Sequence, residues 1–158
     1  MNTNLQYKLV GPDKSLSDFV YSFSSLQNIS DIVEGVIVPN GRIDLIFFKT
    51  TDNEFLISLL GLETKPKLMP RQHISTFFAI NFNPLAVEYV LHHSIAEILN
   101  TGRILPNYFW DFTSDDLNDF DLFCEKATKR FNRFCPEKQM KENAICLNGF
   151  LRLTGRFP

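Results

Sequence analysis

Asp44 stands inside Ile43-Asp44-Leu45-Ile46-Phe47-Phe48, an apolar run in which an ionised carboxylate is costly unless something pairs with it. Two roles are open to it. Arg42 or the hydrogen bonds of a neighbouring turn satisfy it, or it faces a bound molecule as a polar anchor. Acid–base catalysis would need Glu54 or Glu63 beside it, and nothing in the sequence places either there. His92-His93 suggests a metal ligand pair, but adjacent helical residues project about 100° apart and do not readily share one ion. Metal-dependent cupin enzymes carry two histidines one residue apart on a strand; here the expected strands hold only His73, at an edge. Cys124, Cys135 and Cys146 are odd in number and contain no CxxC pair, and Pro136 breaks the helix that would align them. They read as buried free thiols. A nucleophile elbow, a phosphate loop and a dinucleotide glycine fingerprint are all missing. The expectation is a non-enzyme with no catalytic residue, no metal ligand and no cofactor.

What the chain has in excess is phenylalanine, with 16 copies in 158 residues. So many rings suit either an ordinary core or an apolar cavity that holds a ligand by shape and dispersion. The net charge of −2, with no basic stripe, leaves little to grip phosphates, so the chain alone is expected to bind DNA poorly. No run approaches the ~20 apolar residues of a membrane span, and Met1 to Lys8 lacks the order of a signal peptide. No membrane partner and a cytoplasmic location are expected.

The elements that must position these residues can be read from punctuation and period. Pro12 to Phe23, with Leu16, Phe19 and Val20 at helical spacing, predicts a short helix running into a strand. Val36-Ile37-Val38 and Ile43 to Phe48 flank Pro39-Asn40-Gly41, which predicts a hairpin. In its second strand Arg42, Asp44, Ile46 and Phe48 share one face. Glu54 to Leu60 and Ser75 to Phe82 read as further strands, the latter with Phe78, Ile80 and Phe82 on one face, and Leu62 to His73, with Pro66 and Pro70, reads as a loop. Asn83-Pro84 opens a helix to about Leu91, and Ser94-Ile95-Ala96-Glu97 caps another, closed by Gly102. Tyr108, Phe109 and Trp110 form an aromatic knot expected to plug one end of the fold.

A last helix starts near Thr113, acidic early and basic late, as the helix dipole favours. Leu117, Phe120, Cys124, Ala127, Phe131 and Phe134 step through it as a heptad seam, while Leu122 and Phe123 broaden the stripe. The seam meets either the chain's own sheet or a partner, and Leu117, Phe120, Cys124, Ala127 and Phe131 are the candidate dimer interface.

Pro39-Asn40-Gly41-Arg42-Ile43-Asp44-Leu45-Ile46-Phe47 resembles a segment of the sensor domains of one branch of AraC-family transcription regulators. Pro12, Leu16, Phe19 and Val20 resemble that branch's opening, Gly61-Leu62-Glu63-Thr64-Lys65-Pro66 its next block, and Ile80-Asn81-Phe82-Asn83-Pro84 its strand-to-helix passage. Glu97 to Asn100 and Ile104-Leu105-Pro106 resemble the branch's segments after that passage, so the resemblance spans about residues 12 to 134. Where that branch has an aromatic pair including Trp, this chain has Tyr21 and Phe23.

The resemblance implies a cupin-like β-barrel that binds a small effector, followed by helices that dimerise, with DNA read only by a carboxy-terminal helix-turn-helix unit not found after Pro136. The expected architecture is therefore α+β: an effector-binding and dimerisation domain over residues 1–135 (barrel about 20–82, helices about 84–135), then a tail or linker over 136–158. Asp44 is the expected anchor of the lumen and Phe48, Phe78 and Phe82 its walls. Two alternatives stay open, a ligand-free dimerisation module and a small metal-free cupin enzyme.

Overall fold

The computed structural model describes residues 5–29, 33–92 and 94–134; the tail over 136–158, with Cys146, lies outside them, as do Cys135 and His93. In chain order the strands are β1 (Gln6–Val10), β2 (Val20–Gln27), β3 (Val33–Ile37), β4 (Ile43–Thr50), β5 (Phe55–Leu60), β6 (Lys67–Gln72), β7 (Ile74–Phe82) and β8 (Gly102–Leu105). Among the described residues two α-helices come after β7, α1 (Leu85–Tyr89) and α2 (Phe120–Phe134). The fold is α+β and mostly antiparallel sheet. Six strands form one sheet in the order β1-β2-β7-β4-β5-β8, and β3 pairs with β6 in a separate two-stranded ribbon.

The expected closed barrel is not found. Among the described residues β1 and β8 are free edges of the large sheet, and the ribbon is a sheet of its own. The expected hairpin is also absent. Its turn chemistry is present, since Gly41 has φ 71° and the Asn40 side chain accepts from the Arg42 amide at 2.9 Å. Yet β3 leaves that turn for β6, while β4 pairs with β5 and β7. A turn motif fixes a chain reversal, not the partner of each strand. The stretch read as a loop contains β6. Its Pro70 is tolerated because the ribbon's register shifts between Val33 and Gly35, opposite this segment, so no ladder bond is demanded of it. The opening helix is instead a series of hydrogen-bonded turns, with the Phe19 and Val20 amides donating to the Leu16 carbonyl at 2.9 and 2.8 Å. Gly102, read as the end of a helix, begins β8.

One face of the large sheet is the core. Register sets Ile43 opposite Phe82, Leu45 opposite Ile80 and Phe47 opposite Phe78, and all six side chains are essentially inaccessible. Helix α2 lies on this face. Phe123 meets Phe47 and Phe78 with ring centroids 5.2 Å apart in each case, edge to face, and Phe112 completes the pile at 4.6 Å from Phe47. Such offset contacts suit the ring quadrupoles beyond simple burial.

This packing places most of the candidate dimer interface against the chain's own sheet. Leu117, Phe120, Ala127 and Phe131 are no more than 3% exposed within the chain itself, and Cys124 is half-buried. The buried stripe passes through Phe120, Phe123, Ala127 and Phe131, steps of three, four and four, which is the drift of a straight helix on a sheet rather than a supercoiled seam. Leu122 is 61% exposed on the outer flank.

The aromatic knot divides. Trp110 is buried, stacked on Phe109 and edge-on to Phe82, while Tyr108 is 72% exposed. Trp110 and Asp111 both hold left-handed backbone, at φ 57° and 56°. Such conformations persist when the surroundings over-determine them. Lys126 of α2 does so by donating to the Asp111 carbonyl at 2.8 Å and to the Asp116 carboxylate at 2.7 Å, and Arg130 pairs with the Asp111 carboxylate.

Phe123→Ala is expected to lower unfolding free energy by about 3–5 kcal/mol, because the opened cavity sits among rings that cannot collapse. Leu122→Ala should change it by less than about 0.5 kcal/mol. Urea denaturation of both variants measures the difference, and equal losses would show that the helix packs on another flank.

Candidate functional site

The second face of the large sheet carries Asp44, Ile46 and Phe48 from β4, with Arg42 just before the strand. Register places Asn81 and Leu60 beside Asp44, Ala79 and Ser58 beside Ile46, and Phe77 and Leu56 beside Phe48. The ribbon stands over part of this face, and between them lies a partly open cavity of about 360 Å³. Ile37, Lys67, Leu68 and Met69 line it from the ribbon, and Ile46, Phe48, Ser58 and Phe77 are among the residues lining it from the sheet. A volume of this size falls at the small end of the range for small-molecule sites.

One wall depends on a close approach. A Cβ on Gly61 would sit 1.5 Å from the Ile98 carbonyl oxygen, so only glycine lets these backbones meet. The Gly61 amide donates to the Thr101 carbonyl at 3.0 Å, and the Asn100 side chain accepts from the Thr64 amide at 2.7 Å and its hydroxyl at 2.9 Å. The lock brings β8 beside β5, and Gly102 and Ile104 join the lining.

The polar end of the same face is a hydrogen-bonded cluster. The Asn81 carbonyl oxygen accepts from Ser22 at 3.0 Å and Ser24 at 3.2 Å, and its amide nitrogen donates to Asp44 Oδ1 at 2.7 Å. Asp44 is thus satisfied chiefly by Asn81. Burial still pushes its carboxyl above the ordinary range, opposed by the Asn81 hydrogen bond and then by the charge of Arg42. The Arg42 guanidinium lies over the Tyr21 ring and leaves its buried Nη1 without a hydrogen-bond partner.

Of the four expected ligand residues, Phe48 lines the cavity and Asp44 lies on the same face, beside Leu60 but outside the lining. Phe78 and Phe82 do not belong with them. They point into the core, against Phe120 and Phe123 and against Trp110 and Phe131. Period two holds within each strand, but the register that aligns Phe78 with Phe47 puts Phe77 on the cavity side. Sequence reasoning missed Phe77, Ser58, Lys67 and the ribbon. The adjacent pair Phe77-Phe78 was the available signal, since a strand with large rings on both faces is covered on both.

The remaining candidates are scattered. His92 is exposed after α1 in left-handed backbone, and among the described residues no three His, Cys, Asp or Glu side chains gather as a metal site would require. Cys124 is a free thiol pushed up to about 12 by burial first and Asp121 second, with Lys8 opposing. No described helix is long and apolar enough to cross a membrane.

A family profile described as a domain of unknown function, DUF6597, matches residues 8–103. The chain belongs to this family. The matched DUF6597 segment contains the ribbon, all of the large sheet but the outer ends of β1 and β8, and nearly every residue of the cavity lining, Ile104 alone lying just past it, and it stops before α2. No curated protein matches the chain, and no solved structure does.

Two outcomes are expected at these residues. Because burial favours neutral Asp44, its stabilising contribution is complete below the ordinary aspartate pKa of 3.8 and is lost as pH rises through the raised value. Asp44→Asn should therefore melt a few degrees above the wild type at pH 7, with the gap closing toward pH 4; thermal scans across that range check it, and a constant gap would count against a buried charge. Iodoacetamide at pH 8 should leave Cys124 unalkylated in the folded chain, as read by peptide mapping, and label it after denaturation.

Proposed function

We propose that this chain is the effector-sensing domain of an AraC-type transcription regulator, with the effector bound between the large sheet and the β3–β6 ribbon. The observation that carries the reading is the cavity of about 360 Å³ with apolar walls from both sheets, partly open to solvent and not filled by the phenylalanines that line it. The ordered motifs between Pro12 and Pro106 support the regulator class. In this reading the ribbon laid over the sheet takes the place of the far wall of the cupin-like barrel which that resemblance implies, without closing it.

In this reading Phe48 and Phe77 are walls and Asp44 borders the cavity at its polar end. A molecule touching both sheets binds best when the ribbon is seated, and that difference in affinity is what shifts a population of states. The protein acts in the cytoplasm as a homodimer and reaches DNA through a helix-turn-helix unit. The dimer contact lies elsewhere than the inner stripe of α2, whose exposed apolar residue is Leu122. A helix-turn-helix coding segment downstream of Pro158 would support the regulator class directly.

The pocket is tested with the neutral fluorophore N-phenylnaphthylamine and the full chain. Saturable fluorescence gain is expected, weakened at least about tenfold by Ile46→Trp, which fills the cavity from its floor. Gain that the substitution leaves unchanged would place the probe elsewhere and contradict the reading.

A further inference from the structure

We infer that the cavity takes a carboxylic acid with an apolar body, the carboxylate held at Lys67 and Ser58 and the body lying against Phe48 and Phe77. The inference rests on the sensor reading and adds the class of molecule.

Among the described residues that line the cavity, Ser58 and Lys67 are the polar side chains and none is a carboxylate. Its other walls are aliphatic, aromatic, thioether or glycine. A sugar would leave most of its hydroxyls unpaired there, and desolvating them is costly. A cationic amphiphile would bring its charge against the ammonium of Lys67. An acid meets neither penalty, and it has to compete with the Glu63 carboxylate that stands 3.9 Å from the same ammonium.

Lys67 is suited to the part. Its side chain is 50% exposed, so the ammonium keeps its water when the cavity is empty. Its partner Glu63 stands 3.9 Å away, too far for a direct hydrogen bond, which leaves the ammonium's donors open to a closer acceptor. Lys67 begins β6, directly across the ribbon from Ile37, itself a lining residue. Ser58 lines the cavity from β5 in the sheet, beside Ile46. A carboxylate between them would link ribbon to sheet, whereas an apolar body alone would touch both without fixing their separation.

The test is displacement of N-phenylnaphthylamine from the full chain by decanoate and by decanol, both below the concentrations at which they aggregate. Decanoate should compete about tenfold better, the difference expected of a charge-assisted hydrogen bond. Lys67→Met should abolish that preference, and with the unaltered chain octanoate should bind roughly fourfold more weakly per methylene removed. Equal competition by the acid and the alcohol, or a preference that survives Lys67→Met, overturns the ligand class and leaves the cavity reading intact. A fluorophore that never binds overturns both.

Discussion

The packing of Phe123 against Phe47, Phe78 and Phe112 decides which way the large sheet faces. All four rings are fully buried, with centroids 4.6 to 5.2 Å apart where Phe47, Phe78 and Phe112 touch Phe123 or each other. Once α2 covers Ile43, Leu45 and Phe47, strict alternation turns Asp44, Ile46 and Phe48 to the opposite side. That side then needs its own cover, and the ribbon supplies it. The cavity exists because a two-stranded ribbon is too narrow to press every residue of the second face, whereas a fifteen-residue helix and its preceding turns fill the first.

The two faces also divide the energetic work. The core face gains stability through close-packed rings. The second face keeps features that cost stability: a carboxyl raised by burial, a guanidinium nitrogen without a partner, and apolar walls around unfilled space. Costs of this kind concentrate where a protein binds something, because a well-filled site has no room for a ligand. The DUF6597 match covers this arrangement almost whole, while α2, which covers the core face, lies past its last matched residue.

Much of the architecture was legible, and the failures have a common cause. Local chemistry located β2, β4, β5, β7 and the start of the helical half, because turn residues and period two are properties of a few neighbouring residues. It grouped Leu16, Phe19 and Val20 as one apolar series, and all three are buried. It also singled out Asp44 as anomalous. Pairing is not local. Nothing in Pro39-Asn40-Gly41 says that β3 will join β6 thirty residues on, and the prolines hid β6. Nor could the sequence say that Phe77 rather than Phe78 shares a face with Phe48, since one residue of register exchanges the two. The α2 stripe was readable as apolar but not as inward, because Phe123 and Cys124 compete for its centre and only the packing against the sheet chooses Phe123.

The separation of a closed core face from an open ligand face is tested most directly by isoleucine methyl NMR of the full chain during titration with decanoate. Shifts confined to Ile37, Ile46, Ile74 and Ile104, which line the cavity, are the predicted result. Shifts centred on Ile43, Ile57 and Ile80, which lie in the core on the α2 side, would contradict the account.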